Sequence, residues 1–256
     1  MASHYEEIMR LQDELDGGAV PLFGRMGGKS KLSKRIIALI PDDYKTFVEP
    51  FVGAGNIFFK VEQEEGKKYV INDKDSSVIK IYRGVKKHPE AFVISSPTRE
   101  EFKHILKKSN KTDVEEYTLL KMSFFSKGTS WIDKPVTNPE RQLKKLQEVS
   151  KLLSNATILN ENFATVIRHY DSPSTFFYLD PPYESTEQKD YKDYVTPEEV
   201  YDAVKSIKGR FLLSYNKSAK IIDVFKKFKI REIQTAYNST GTVDRRPITE
   251  VLISNY

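Results

Sequence analysis

The tetrapeptide Asp180-Pro181-Pro182-Tyr183 carries the sharpest chemistry in the chain. Its successive prolines withhold two backbone N–H donors and fix φ, so the turn is stiff and rich in acceptors. The Asp180 carboxylate and the Pro181 carbonyl can take both protons of a planar –NH2 group. Such bonds pull the nitrogen towards tetrahedral geometry and free its lone pair for attack. Tyr183 adds an aromatic face that can stack on the ring bearing the amine. A lone Asp-Pro-Pro would be a turn with a helix cap. Here the apolar run Thr175–Leu179 comes directly before it. The turn is therefore expected at the carboxyl edge of a sheet, where open α/β sheets hold their ligands.

Phe47-Val48-Glu49-Pro50-Phe51-Val52-Gly53-Ala54-Gly55 reads as a strand, a glycine turn and then a helix from Asn56. Gly53 and Gly55 let the backbone come close to a ligand, and the helix N-terminus would offer N–H groups to a carboxylate or phosphate. Alone, the turn fits a dinucleotide almost as well. Tyr69-Val70-Ile71 then ends in Asn72-Asp73, about 20 residues past the glycines, where an acid suits ribose hydroxyls. The third glycine of the dinucleotide pattern is missing around Phe58, which favours a single nucleoside over a pyrophosphate-linked one. Asn72 and Asp73 also read as caps of the next helix. Phe23-Gly24-Arg25-Met26-Gly27-Gly28-Lys29 precedes a further helix, with Leu22 where a P-loop has its first glycine. ATP binding is therefore not expected, and Lys29 better suits a cofactor that bears a carboxylate.

The elements that must position these residues alternate along the chain. Strands are expected at Thr46–Pro50, Lys68–Ile71, Ala156–Leu159, Thr175–Leu179, Arg210–Ser214, Ile230–Ala236 and Thr249–Ser254. Helices are expected at Lys29–Leu39, Asn56–Lys60, Ser76–Lys87, Pro139–Leu153, Pro197–Ser206 and Ser218–Phe228. Alternation implies parallel pairing through crossover helices and a doubly wound α/β sheet. From about Ser95 to Val149 the rhythm stops. Lys107, Lys108, Lys111, Lys121, Lys127, Lys134, Arg141, Lys144 and Lys145 are interleaved there with Phe124, Phe125 and Trp131. Basic and aromatic residues together suit phosphate contacts and a base-reading or wedge element. The same composition, with Glu115, Glu116 and Asp133 mixed in, also suits a solvated helical insertion with its own small core.

The 256 residues allow one large α/β domain, or a core with an insertion. The chain has no cysteine, which excludes disulfides, thiolate metal sites and a cysteine nucleophile. It also excludes the covalent route to methylation of the cytosine ring carbon. Net charge is +5, which permits a nucleic-acid partner without arguing for one. No apolar run approaches the roughly 20 residues that span a bilayer, and the polar N-terminus does not read as a signal peptide. An intracellular protein without a membrane partner is expected.

In their order along the chain, Gly27-Gly28-Lys29, Glu49-Pro50-Phe51-Val52-Gly53-Ala54-Gly55, Asn72-Asp73 and Asp180-Pro181-Pro182-Tyr183 resemble the motifs of the Dam-like (D12 class, α group) N6-adenine DNA methyltransferases. Phe211-Leu212-Leu213-Ser214-Tyr215-Asn216 and Glu250-Val251-Leu252-Ile253-Ser254-Asn255-Tyr256 look familial too. So does Asn160-Glu161-Asn162-Phe163, near the place of the cofactor adenine. The resemblance covers roughly Leu22–Val93 and Ala156–Tyr256.

It implies a Rossmann-like seven-stranded methyltransferase sheet, its last strand antiparallel, with helices on both faces. The catalytic domain would comprise residues 1–94 and 151–256, and a mostly helical target-recognition insertion residues 95–150. It further implies S-adenosylmethionine as cofactor, no metal, and methyl transfer to the N6 amine of a flipped adenine in double-stranded DNA by direct displacement. Asp180, Pro181, Pro182 and Tyr183 would be catalytic. The cofactor would be held by Arg25, Gly27, Gly28, Lys29, Glu49, Pro50, Phe51, Gly53, Gly55, Asn72, Asp73, Asn162, Phe163 and Asp180. Ser126, Lys127, Ser130, Trp131 and Lys134 would touch DNA. A cognate restriction endonuclease fits such an enzyme as partner, as does a monomer or weak dimer. Arg25 stands where the family commonly has an aromatic residue. The middle region lacks the Asn-Val-Pro-Phe-Gly ending of GATC readers, so GATC recognition is not implied. The acceptor corner would also serve the N4 amine of cytosine, and a non-catalytic DNA-binding specificity subunit is the alternative of another class.

Overall fold

Runs rich in β-branched and aromatic residues become seven strands, joined in one sheet ordered β3-β2-β1-β4-β5-β7-β6. The computed structural model describes residues 21–24, 29, 32–123, 127–133, 135–182, 195–236 and 247–256. The expected site residues Arg25, Gly27, Gly28, Ser126, Lys134 and Tyr183 lie outside them. In chain order the described elements are α1 (Ser33–Ile37), β1 (Thr46–Glu49), β2 (Lys68–Asn72), α2 (Ser76–Lys87), α3 (Arg99–Lys107), α4 (Asp113–Lys121), α5 (Pro139–Ser154), β3 (Ala156–Leu159), α6 (Phe163–Tyr170), β4 (Thr175–Leu179), α7 (Pro197–Val204), β5 (Arg210–Asn216), α8 (Ala219–Val224), β6 (Lys229–Ala236) and β7 (Pro247–Ser254). Single 3-10 turns form at Phe58–Lys60 and Pro89–Phe92.

The chain divides into two compact units. Lys34–Val52, Glu64–Ser76 and Ala156–Tyr256 make the sheet unit. Gly53–Gln63 and Ser77–Asn155 belong to the other, with the described residues up to Ser33. The expected insertion, 95–150, lies wholly in the second unit.

In the sheet unit, β1 to β5 pair in parallel, and β7 runs antiparallel between β5 and β6. β4 (TFFYL) is buried along its whole length, as a central parallel strand must be. Register separates two faces. Val48, Val70, Phe177, Leu179, Phe211, Leu213, Tyr215, Val251 and Ile253 share one, where Phe163, Val166 and Ile167 of α6, Val200 and Val204 of α7, and Ile221 of α8 complete the core. The opposite face starts apolar: Tyr44, Phe47, Tyr69, Phe176 and Tyr256 form a chain of ring contacts. Towards the carboxyl end of the strands it turns polar.

In the second unit, α3 and α4 start at capping boxes, Thr98 with Glu101 and Thr112 with Glu115. Asn138 caps α5 ahead of Pro139. Phe102, Leu119 and Met122 form a small core of their own, with Ile105, Trp131 and Val136 packed against it. The buried Gln142 amide is satisfied by Ile94 O at 2.9 Å, Thr137 O at 2.7 Å and, on its oxygen, Ile94 N at 3.2 Å.

Two helix expectations need correction. No α-helix starts at Asn56: a single turn at Phe58–Lys60 is followed by extended Val61 (φ −71°, ψ 126°). Burying the adjacent rings of Phe58 and Phe59 suits a tight turn, because an amphipathic helix returns to its buried stripe only every three or four residues. The expected N-terminus of a helix facing the ligand is therefore absent there. α1 is also shorter than the expected Lys29–Leu39. Its end tightens into i→i+3 bonds, Leu39 N to Ile36 O and Ile40 N to Ile37 O, because Pro41 bars helical geometry at the residue before it.

Candidate active site

Strand order reverses at β1 and β4, so their carboxyl ends flank the switch point at which open α/β sheets bind ligands. β1 ends in Glu49, and β4 runs into Asp180. Glu49 is 2 % exposed and Glu250, on β7, is fully buried. Register puts Glu49, Tyr178, Ser214 and Glu250 on one face. Nothing apolar explains so many polar side chains in a row across a buried sheet.

Tyr178 and Ser214 link this row to Asp180. The Tyr178 hydroxyl lies 3.1 Å from Ser214 Oγ, and Ser214 donates to Asp180 Oδ1 at 2.9 Å. Burial, reinforced by the charges of Asp180, Glu49 and Glu250, pushes the Tyr178 phenol well above its ordinary pKa, against a smaller opposing effect of the Ser214 bond. Pro181 is buried and Pro182 is exposed.

At the end of β2, Asn72 acts as a clamp. Its Nδ2 donates to Pro50 O at 2.9 Å and to Glu161 O at 3.1 Å, while its Oδ1 accepts from Glu161 N at 2.8 Å. The Asn72 carbonyl accepts from Val52 N at 2.8 Å. One buried amide thus ties together the loops that follow β1, β2 and β3. Asp73 accepts from Asp75 N at 2.9 Å, and Asn160 Nδ2 holds the carbonyls of Asp73 and Lys74 at 2.8 and 3.1 Å. Asn162 caps α6 through Ala164 N at 2.9 Å. Phe163 belongs to the core, its ring 4.9 Å from that of half-buried Phe51.

In the second unit, Gly53 and Gly55 both adopt positive φ, 48° and 73°. A Cβ at Gly55 would collide with the Phe59 ring, so only glycine fits. Tyr82 OH holds Gly53 O at 2.8 Å. Lys29 is 1 % exposed. Lys127 and Ser130 are exposed beside Gly128, whose N–H donates to Ser123 Oγ at 2.7 Å. Trp131 is half-buried against the small core; its Nε1 is buried with no hydrogen-bond partner among the described residues.

Within the sheet unit the structure brings together Glu49, Pro50, Asn72 and Asp73 at one side of the switch point and Asp180 and Pro181 at the other. Sequence reasoning gave no role to Tyr178, Ser214 or Glu250. The available signal was a polar residue interrupting the apolar runs Phe211–Leu213 and Val251–Ile253.

A parallel sheet of this order, with an antiparallel strand inserted beside β5 and acidic strand ends at its switch point, is the Rossmann-like architecture of S-adenosylmethionine-dependent methyltransferases. A family profile described as D12 class N6 adenine-specific DNA methyltransferase matches residues 26–239. The chain is 28% identical, over 90% of its length and 93% of the relative's, to the type II methyltransferase M1.LlaDCHI of Lactococcus lactis subsp. cremoris. It is 24% identical, over 92% and 99%, to the type II methyltransferase M.MjaIII of Methanocaldococcus jannaschii. A crystal structure of a SAM-dependent O-methyltransferase from Thermotoga maritima aligns with 88% of this chain and 64% of its own at a TM-score of 0.43 and 12% identity. The chain belongs to the D12 class N6 adenine-specific DNA methyltransferase family. It is a DNA methyltransferase whose methyl donor is S-adenosylmethionine. Among the described residues no helix is long and apolar enough to cross a membrane.

Proposed function

We propose that this chain methylates the exocyclic N6 amine of an adenine flipped out of double-stranded DNA, by direct displacement. The observation that carries the reading is Asp180 at the end of β4, its Oδ1 bonded to a fully buried Ser214 at 2.9 Å. Asp180 and the Pro181 carbonyl accept hydrogen bonds from the two amine N–H groups, leaving the nitrogen lone pair to form the N–CH3 bond as the S–CH3 bond breaks; the thioether departs as S-adenosylhomocysteine and the nitrogen sheds one proton. Acceptors fixed in advance need no reorganisation as positive charge develops on the nitrogen. A stacked adenine cannot reach such a corner, so the base must leave the duplex. Pro182 stiffens the turn, and the stacking role of Tyr183 rests on the sequence.

S-adenosylmethionine supplies an electrophilic methyl group carried on a sulfonium. Within the sheet unit, Glu49 and Asp180 suit its cationic groups and Asp73 its ribose hydroxyls; Lys29 is assigned to its carboxylate from sequence. Gly53 and Gly55 turn the backbone through positive φ, the space beside Gly55 being taken by the Phe59 ring, and Pro50, Phe51 and Phe163 offer apolar surface. Asn72 and Asn162 serve by holding the backbone around them. The motif residues Arg25, Gly27 and Gly28 are assigned to the same cofactor from sequence. Residues 95–150 are the target-recognition part, with Lys127, Ser130 and Trp131, and by sequence Ser126 and Lys134, as DNA contacts. The relatives' names extend by analogy to a modification enzyme acting inside the cell alongside a cognate restriction endonuclease.

The test is to treat unmethylated DNA with the protein and labelled cofactor, digest it to nucleosides and weigh the product. N6-methyldeoxyadenosine is expected. N4-methyldeoxycytidine would move the target to cytosine, and no methylated nucleoside would remove the enzymatic reading.

A further inference from the structure

The Tyr178–Ser214 pair has no role in the site as derived so far, yet it ends on the residue that the proposed reaction depends on. Both side chains are fully buried in the centre of the sheet, where polar groups cost free energy unless they are bonded. Their directions can be assigned. The Tyr178 phenol keeps its proton, because burial and the carboxylates of Asp180, Glu49 and Glu250 oppose its ionisation. By distance alone either hydroxyl could donate across the 3.1 Å between Tyr178 and Ser214 Oγ. Ser214 has one proton of its own. Asp180 Oδ1 at 2.9 Å is closer than Leu179 O at 3.4 Å, and a carboxylate is the stronger acceptor. The bonds thus run one way: phenol to hydroxyl to carboxylate.

We propose that Ser214, oriented by Tyr178, is a positioning residue that fixes the Asp180 carboxylate for the target amine. The inference rests on the proposed role of Asp180. Asp180 is the residue that follows the last position of β4, and Ser214 reaches its carboxylate from the neighbouring strand. A donor anchored in β5 limits the rotation of that carboxylate, and a polarised donor holds more firmly than an isolated one. The phenol acts on Asp180 through Ser214, so its effect should vanish when the serine hydroxyl is gone.

The experiment compares Ser214→Ala, Tyr178→Phe, their double variant and Asp180→Ala in steady-state methyl transfer to DNA, with cofactor affinity measured by calorimetry. Ser214→Ala is expected to lower kcat about 100-fold, the scale of an ångström's misplacement, with the KM for DNA unchanged and any change in cofactor Kd no larger than that of Asp180→Ala. Tyr178→Phe, which removes one oxygen, should lower kcat by less than Ser214→Ala does, because it weakens the donor to Asp180 without removing it. The double variant should match Ser214→Ala. Full kcat in Ser214→Ala, losses that multiply in the double variant, or a loss confined to KM would each overturn the inference. If Ser214→Ala does not fold, Tyr178→Phe decides alone: wild-type kcat there overturns it. Asp180→Ala separates the two levels. If it is inactive while Ser214→Ala is fully active, only the positioning role fails. If it retains full kcat, the role of Asp180 fails as well.

Discussion

Asn72 shows how one residue type can be read two ways. As an amide after a strand it suggested a cofactor ligand or a helix cap, yet its three bonds all go to backbone groups of Pro50 and Glu161. Partners so far apart in sequence are visible only once β1, β2 and β3 lie side by side. Asn72→Ala would leave the buried Pro50 carbonyl, and the part-buried N–H and carbonyl of Glu161, without their partner. At about 1–3 kcal/mol for each unsatisfied buried group, partly relieved by water, a loss of about 2–4 kcal/mol is expected. Urea unfolding measures it, and a change below about 0.5 kcal/mol would show the clamp to be dispensable. Gly55 was legible from sequence, since a Gly-x-Gly turn implies special backbone geometry. Its φ of 73° and the Phe59 ring against it make Gly55→Ala costly, by about 1–3 kcal/mol, in the same measurement. Ser214 and Tyr178 were not legible. Ser214 stands in a stretch that looks familial, but it has no role there until register sets it beside Asp180.

At the scale of elements, all seven strands stood in the sequence within a few residues, because buried parallel strands are continuous apolar runs bounded by turn residues. Helices were less legible where a second signal competed. α6 begins at Asn162, inside a segment with a more conspicuous reading as a cofactor motif, and its amphipathic stripe, Phe163, Val166 and Ile167, passed unnoticed. α3 and α4 were expected only as an unspecified helical insertion, although each opens on Thr-x-x-Glu, which is itself a start signal. These boxes carry a prediction. Thr112→Ala removes the acceptor of Glu115 N and should destabilise α4 by about 1 kcal/mol. Amide hydrogen exchange should then speed up in Asp113–Lys121 and leave β4 unchanged, since the two lie in different compact units. Equal acceleration in both would mean that the chain opens only as a whole.

The whole molecule carries 14 tyrosines, and those among the described residues differ in environment. Burial raises the pKa of Tyr44 and Tyr178 in the sheet unit and of Tyr117 in the second unit, and lifts that of Tyr256 to about 12. Each such phenol binds its proton more tightly in the folded chain than in the unfolded one, where the value is about 10. The sign follows from linkage. Stabilisation from these groups is complete below pH about 10 and is lost as pH rises towards the folded values, because the unfolded chain releases its protons first. Stability in urea should therefore hold steady from neutral pH to about 10 and then fall with a slope set by several phenols together. Tyr256 is a direct check on the cause. Its hydroxyl donates to Leu39 O at 2.7 Å, so Tyr256→Phe should lower stability at neutral pH yet lessen the alkaline fall. A fall equally steep in that variant would assign alkaline unfolding to groups other than this phenol. Tyr44 and Tyr256 belong to one chain of ring contacts with Phe47, Tyr69 and Phe176 on one sheet face, and Tyr117 lies in the second unit. That face is the one whose far end carries Glu49, Tyr178, Ser214 and Glu250, so alkaline loss of the sheet and loss of methyl transfer should coincide.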